Sequence, residues 1–154
     1  MILLDADLLL IDIRYPNDAR FSVNRHCLDL LKPEQMEAGI TQQALLEVVG
    51  VLSFNVSPAH VPRLIQLLPG QYGLQVIPGV DEHTEYAGCQ TGEVVDQIRL
   101  QMALGDAVQS AQIRKFTPDA DCLLSWNARH FVGKSVVPAL TPQDWLSQRA
   151  ASSP

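Results

Sequence analysis

The stretch MILLDADLLLIDI, residues 1–13, decides how the rest of the chain is interpreted. It is an almost unbroken apolar run, and apolar residues on both faces of a pleat are typical of a central parallel strand covered on both sides. We therefore predict a buried strand over residues 1–11. Two acids, Asp5 and Asp7, interrupt this run. Because burying an unpartnered carboxylate is costly, their placement indicates that at least one of them has a function.

The composition is that of one globular domain. The chain has 154 residues, of which 47% are hydrophobic and 18% are charged, and this length suits a single domain with a substantial core. The formal net charge of −6 is opposite to the basic excess of proteins that hold nucleic acid by phosphate neutralisation alone. A nucleic-acid role therefore needs a local basic patch or a bridging cation.

The cysteines and the opening run bear on where the protein works. Cys27, Cys89 and Cys122 are widely spaced and form no CxxC pair, which favours reduced thiols and argues against a zinc site. The apolar run is too short to span a bilayer, and it lacks the pattern of a cleavable leader. We expect a cytoplasmic protein that is not bound to a membrane.

Helical and strand-like segments alternate along the chain. Helical periodicity marks five segments, residues 18–32, 42–53, 57–68, 93–104 and 106–116, and strand-like runs follow at 73–77, 121–126 and 135–140. Thr41 is the predicted N-cap of the second helix. This alternation predicts an α/β fold with a mostly parallel sheet and helices on both faces. We expect one domain over residues 1–148 and a flexible tail over 149–154.

Polar residues are predicted to meet at one edge of this sheet. Asp5 lies in the first strand, Asn127 follows the strand at 121–126, and Asp106 opens a helix after Gly105. Ligands of such sheets bind beyond the carboxyl ends of the strands. If the two strands are neighbours, these side chains converge there.

Each candidate position also has a structural alternative. Asp5 could be a strand acid that faces solvent, although the apolar residues around it argue against that. Glu47 lies at the border of the apolar stripe of its helix, so an ordinary exposed acid is equally consistent with the pattern. Asp106 fits a helix N-cap as well as a ligand, and Asn127 fits a turn. The local patterns leave these alternatives open.

Four segments together resemble the PIN-domain family. LLDADLLL is similar to its opening strand with Asp, and TQQALLEVVGVLS to its helix that carries Glu. GDAVQSAQ resembles the third motif, an Asp at a helix start, and DCLLSWNARHF resembles the fourth, a strand followed by Ser and then Asp or Asn. The order and approximate spacing match from Met1 to about Leu146. Many small members of this family are VapC-like ribonuclease toxins.

The resemblance implies a three-layer α/β/α sandwich with a mostly parallel central sheet, and a metal-dependent endoribonuclease that cleaves RNA phosphodiesters. Asp5, Glu47 and Asp106 match the acidic ligands of Mg²⁺ or Mn²⁺. Asn127 completes the implied catalytic set, but it stands where many members have a fourth Asp. Because one negative charge is then missing, any second metal should bind more weakly.

Supporting and substrate-binding roles follow from the same resemblance and from charge. Ser125 matches a hydroxyl position that could orient the site, and Asp7 falls where members often have Asn, beside the ligands. Arg129 and Lys134 are candidate contacts to RNA phosphates, although a solvated face is the alternative for any single cation. The same holds for three further basic residues, Arg14, Arg20 and Arg25.

A divalent cation would explain the acids in the buried opening run. Crowded carboxylates raise one another's pKa and repel, and a hard dication with oxygen ligands relieves that repulsion. A metal-bound water of lowered pKa can attack a phosphodiester. The chain has neither a GxSxG elbow nor a GxxxxGK[ST] loop, so other common hydrolytic sites lack their motifs.

Several aromatic and imidazole groups lie near the fourth motif. His130 is more consistent with local packing or capping than with a contact to RNA or metal, since a single His has many structural uses. Trp126 and Phe131 could stack on bases, but core packing is the better explanation.

The implied partners are RNA, an antitoxin protein and a second copy of the chain, the last two through helices at 17–31 and 41–52. Two other functions compete with the nuclease. One is a degenerate PIN module without catalysis that acts through protein partners. The other is a haloacid-dehalogenase-type phosphohydrolase, which the DAD triplet suggests, although DADLLL continues as an apolar run without the small turn and Thr or Val that this family has there.

Overall fold

Strands and helices alternate in the computed structural model, which describes residues 1–32, 36–80 and 85–152. The elements are, in chain order, β1 (Ile2–Leu4), α1 (Ala6–Arg14), α2 (Phe21–Leu31), β2 (Ala38–Thr41), α3 (Gln42–Ser53), α4 (Val61–Tyr72), β3 (Leu74–Ile77), α5 (Thr91–Arg99), α6 (Leu104–Phe116), β4 (Cys122–Leu124), β5 (Ala139–Leu140) and α7 (Pro142–Ser152). Single 3₁₀ turns lie at Pro58–His60 and Ala128–His130.

The described strands form one parallel sheet in the order β3-β2-β1-β4-β5. β1 is central, and its last residue, Leu4, pairs with Ile40 of β2 and with Leu124 of β4. The prediction of an α/β fold with a mostly parallel sheet is confirmed. Because β1 and β4 are neighbours in register, the residues that follow them leave the sheet side by side.

Helices cover both faces of the sheet. Ile2 and Leu4 belong to one core cluster, which also contains buried residues of α1, α2, α3, α4 and α7. Leu3 points the other way, into a second cluster with Ile113 of α6 and with Phe131. The alternation of side chains along β1 thus separates the two helical layers, and the predicted three-layer α/β/α arrangement is confirmed.

The opening apolar run is a strand followed by a helix, so the prediction of one strand over residues 1–11 is wrong. The backbone of Asp5 is extended, and its carboxylate accepts a 2.8 Å hydrogen bond from the backbone N–H of Ala6, which makes Asp5 the N-cap of α1. A cap of this kind favours a helix immediately after it. Leu8 and Leu9 of α1 are fully buried, so the helix keeps the apolar pattern that suggested a strand.

Other helix boundaries agree with the sequence in part. Thr41 is the N-cap of α3, as predicted, and its hydroxyl accepts from the N–H of Ala44 at 3.2 Å. α6 begins at Leu104 with Ala103 as its cap, so Asp106 lies in the first turn and is not the cap itself. The alternative that Asp106 only caps this helix is therefore excluded.

The C-terminal segment is more regular than expected. α7 continues to Ser152, so residues 149–152 of the predicted tail are helical, while residues 153 and 154 lie outside the described part. Among the described helices, none is long and apolar enough to cross a membrane.

Candidate active site

Asp5 and Ser125 lie side by side at the carboxyl ends of β1 and β4. The backbone N–H of Asp5 donates to the carbonyl of Leu124 at 2.9 Å, which continues the strand pairing by one residue. The hydroxyl of Ser125 donates to Oδ2 of Asp5 at 2.7 Å. Asp5 is 9% exposed and Ser125 is fully buried. The carboxyl edge of the sheet therefore holds the carboxylate of Asp5 in a position that is almost completely shielded from solvent.

Asp7 lies at the start of α1, and its carboxylate is held by the loop that follows β4. Its Oδ2 accepts from the N–H of Trp126 at 2.9 Å and from Nδ2 of Asn127 at 3.4 Å. It also lies 3.2 Å from the hydroxyl oxygen of Ser125, whose one hydrogen is shared with the closer Asp5. Its Oδ1 is buried and has no hydrogen-bond partner among the described residues. Asp7 and Asn127, far apart in sequence, therefore belong to one cluster with Asp5.

Asp106 and Glu47 approach this cluster from two helices. Asp106 is half-buried in the first turn of α6, where the positive end of the helix dipole favours a carboxylate. Its Oδ2 lies 3.2 Å from Nδ1 of His130. Glu47 lies on α3 and is exposed. His130 thus contacts one of the candidate site acids. From the sequence, local packing or capping was the more consistent role for His130.

The electrostatics of the acids show that they share one region. Burial raises the pKa of Asp5, and the charge of Asp106 raises it further, while the hydrogen bonds from Ser125 and Ala6 lower it. Although Glu47 is exposed as a residue, the protein atoms around its carboxylate keep water from part of it and raise its pKa, with further contributions from the charges of Asp5 and Asp106. The charged forms of Asp5 and Glu47 are therefore both disfavoured by neighbouring acids from other elements.

Asp7 has the same kind of environment. Its pKa is raised to about 7, first by burial and then by the charge of Asp5. Interactions with the hydroxyl of Ser125 and with the backbone N–H groups of Trp126 and Asn127 lower the pKa and offset part of this rise. Near neutral pH it is therefore only partly ionised. A positive charge brought close to this group would favour its ionised form.

The oxygen ligands of the cluster are of the kind that binds a hard cation, but the distances between the side chains are too long for a ready site. Carboxylate oxygens, with water completing the shell, are the ligands that Mg²⁺ and Mn²⁺ prefer. Among the described residues, however, no three Asp, Glu, His or Cys side chains stand close enough to form a ready metal-binding group. The oxygen chemistry and the unpartnered Oδ1 of Asp7 fit a cation, whereas the present side-chain positions do not enclose one.

Gln109 is a site residue that the sequence analysis missed. It is buried on α6 near Asp5, where its amide favours the ionised carboxylate, although Nε2 makes no hydrogen bond of normal geometry to any described residue. The signal was available, since Gln109 follows Asp106 by three positions and helix residues so spaced share a face. A buried amide beside the acids adds a polar group to the same space.

The basic candidates differ in how far they are already engaged. Lys134 donates to the carbonyl of Gln101 at 3.1 Å, whereas the exposed Arg129 has no side-chain partner among the described residues. The remaining three have intramolecular contacts: Arg14 with the carbonyl of Val51, Arg25 with Asp12 and Asp29, and Arg20 with Asp18. Phe131 is 1% exposed in the core, as expected.

Comparison with known proteins identifies the fold. No protein-family model matches the chain, and no curated protein matches it. Several solved structures are similar, and two of them are as follows. One is VapBC2 from Rickettsia felis bound to a DNA fragment from their promoter, with a TM-score of 0.60 and 13% identity over 92% of this chain and 98% of that chain. The other is FitAB bound to the IR36 DNA fragment, with a TM-score of 0.60 and 14% identity over 92% and 95%. This chain thus shares its fold with a chain of each of these two complexes.

Proposed function

We propose that this protein is a metal-dependent endoribonuclease and the toxin of a toxin–antitoxin pair. The observation that carries the proposal is the nearness of Asp5, Glu47 and Asp106 at the carboxyl edge of the sheet, where the charge of Asp106 raises the pKa values of both Asp5 and Glu47. Acids whose pKa values are raised by burial and by the charges of neighbouring acids, as for Asp5 and Glu47, are candidates for a functional site. The PIN-like fold supports the same assignment.

Asp5, Glu47 and Asp106 are the residues that would hold Mg²⁺ or Mn²⁺. A bound divalent cation supplies a water of lowered pKa and neutralises charge on the phosphoryl oxygens. The described acids do not enclose a cation as they stand, so binding requires their side chains to adjust. The exposed Glu47 has the greatest freedom to do so.

The other site residues orient these acids. Ser125 holds Asp5 through its hydroxyl and receives the N–H of Asn127 at 2.9 Å. Asn127 reaches Asp7 with its amide and contributes no charge of its own. His130 holds Oδ2 of Asp106 through Nδ1. Arg129 remains a candidate contact to an RNA phosphate, whereas Lys134 would first have to release a backbone carbonyl.

A protein partner is part of the proposal. The two similar structures are complexes, VapBC2 and FitAB, and we propose an antitoxin for this chain, with a second copy of the chain as the alternative. α2 and α7 border an open cleft of about 690 Å³ that Val23, Leu30 and Leu146 line in part. The apolar face of α3 is buried in the core, which leaves α2 as the better contact surface.

The three free cysteines fit a cytoplasmic protein.

An RNA cleavage assay tests the proposed function. The purified protein is incubated with a mixture of structured and single-stranded RNAs and Mn²⁺ or Mg²⁺, and then again with EDTA. Asp106→Asn keeps the shape of the side chain but removes its charge. Asp96→Asn is the matched control, because Asp96 is an exposed acid on α5 that pairs with Arg99. We expect cleavage by the wild type and by Asp96→Asn, and a rate at least about 100-fold lower for Asp106→Asn.

The same assay separates the competing functions. Equal cleavage by wild type and Asp106→Asn would contradict the proposal, and so would no cleavage of any RNA class. The second outcome would favour a module that acts only through protein partners. Hydrolysis of para-nitrophenyl phosphate, a generic phosphate monoester, would favour a phosphohydrolase instead.

A further inference from the structure

The indole of Trp126 is fixed at the Asp7 side of the candidate site. Its backbone N–H donates to Oδ2 of Asp7 at 2.9 Å, and its ring Nε1 donates to Oδ1 of Asn24 at 2.9 Å. Asn24 is fully buried and donates in turn to the carbonyl of Leu8 at 2.8 Å. Two hydrogen bonds therefore hold a half-buried ring in one orientation beside the acids.

Arg20 stacks on this ring and keeps part of its guanidinium available. Its Cζ lies 5.7 Å from the ring centroid of Trp126, within the range of a cation–π contact. Nε and Nη2 donate to Asp18 at 2.9 and 2.7 Å. Nη1 has no partner among the described residues, and the side chain is 46% exposed. A positive group with free donors thus borders the acid cluster.

Resting on the proposed function, we infer that Arg20 binds a phosphate of the RNA at the Asp7 side of the site. Arginine suits this role because its planar fork holds a phosphate while its face stacks on an aromatic ring. Asp18 orients the guanidinium through two of its nitrogens, and the fixed indole supports its face. An acidic protein with a net charge of −6 needs such local cations to hold an anionic strand.

A purely structural role explains Arg20 less well. Oδ1 of Asp18 also accepts the backbone N–H of Arg20 at 2.8 Å, and this bond shapes the turn before α2 without any help from the side chain. The Arg20–Asp18 ion pair is bidentate but lies at the surface, where a pair stabilises a protein by no more than about 1 kcal/mol. This pair accounts for two of the guanidinium nitrogens, and it explains neither the placement of the group over Trp126 nor its electrostatic interaction with Asp7.

RNA binding can be measured apart from cleavage. Fluorescence anisotropy with a labelled single-stranded RNA dodecamer, in the Asp106→Asn background with Mn²⁺ present, gives the affinity without hydrolysis. Arg20→Gln should weaken binding about tenfold at low salt and reduce the slope of log K against log salt by about 0.7, the change for one phosphate contact on a single strand. Arg99→Gln removes the same charge from an exposed arginine on α5 and should change neither quantity.

Each outcome decides the inference. It is overturned if the Asp106→Asn protein binds no RNA, if Arg20→Gln binds as before, or if Arg99→Gln loses as much affinity. A melting curve checks that Arg20→Gln is folded; if it is not, Arg20→Lys takes its place. Arg20→Lys keeps the charge but not the fork, so we expect about a threefold loss, and unchanged binding would overturn the inference. If Arg20→Gln loses RNA affinity but the wild type cleaves no RNA, the proposed nuclease activity is contradicted, whereas the inferred contact between Arg20 and an RNA phosphate is supported.

Discussion

Replacing Asp5 with Asn is expected to slow metal-dependent RNA cleavage by at least about 100-fold, because the loss of one metal ligand should exceed the 10- to 100-fold effect of changing a residue behind it. The same substitution should stabilise the protein in EDTA at pH 8. Burial and the charge of Asp106 raise the pKa of Asp5, so its ionised form opposes folding at that pH. Activity and stability should therefore change in opposite directions.

The local contacts of Asp5 make this substitution informative. Asn is as good an N-cap as Asp, so the amide oxygen can still accept from the N–H of Ala6. The hydroxyl of Ser125 can accept from the new amide and donate to Oδ2 of Asp7, which lies 3.2 Å away. We expect a gain in the free energy of unfolding on the order of 1 kcal/mol, measured by urea denaturation.

Asp96→Asn is again the control, since it removes a charge from an exposed acid outside the site. It should leave both the cleavage rate and the stability in EDTA close to those of the wild type. A destabilised Asp5→Asn protein would show that Asp5 serves the fold, and unimpaired cleavage by that variant would remove Asp5 from the metal site.

The second large effect is a loss of stability as the pH rises in EDTA. The pKa of Asp7 is about 7 in the folded protein, against an ordinary value of 3.8. Between these values the folded state binds more protons than the unfolded state, so the free energy of unfolding falls as the pH increases. Asp5 and Glu47 also have raised pKa values and act in the same direction.

Asp7→Asn isolates the contribution of Asp7. Its amide oxygen can accept from the N–H of Trp126, as Oδ2 of Asp7 does now, but the group no longer titrates. The variant should exceed the wild type in stability at pH 8 by about 1–3 kcal/mol more than it does at pH 5. Urea denaturation in EDTA at pH 5, 6.5 and 8 gives this comparison, with Asp96→Asn as the reference. A difference that does not vary with pH would show that Asp7 is ionised throughout.

The fold class and the approximate position of the candidate site could be predicted from the sequence. Helices and strands alternate in a regular order, and this order alone predicts a parallel sheet whose strand ends lie at one edge. Asp5 and Ser125 meet there because β1 and β4 are neighbours in register. The pairing of these strands could be tested only in three dimensions, since nothing local in either segment specifies its neighbour.

The details that could not be predicted from the sequence are those that depend on a capping hydrogen bond or on contacts between segments far apart in the chain. A buried strand and a buried helix are equally apolar, so the apolar run after Asp5 predicts a strand as readily as the helix that Asp5 caps. Gln109 looks like an ordinary polar helix residue, and its burial near Asp5 exists only in the folded chain. The stacking of Arg20 on Trp126 joins segments more than a hundred positions apart, beyond the reach of any short motif.

Calorimetric titration with Mn²⁺ tests most directly whether Asp5, Glu47 and Asp106 hold a common cation. The wild type and Asp96→Asn should bind Mn²⁺ with the same affinity, and Asp106→Asn should bind it at least about tenfold more weakly, because one charged oxygen ligand is lost. Equal affinity in all three proteins, or no binding by the wild type, would contradict the metal site on which the proposed nuclease depends.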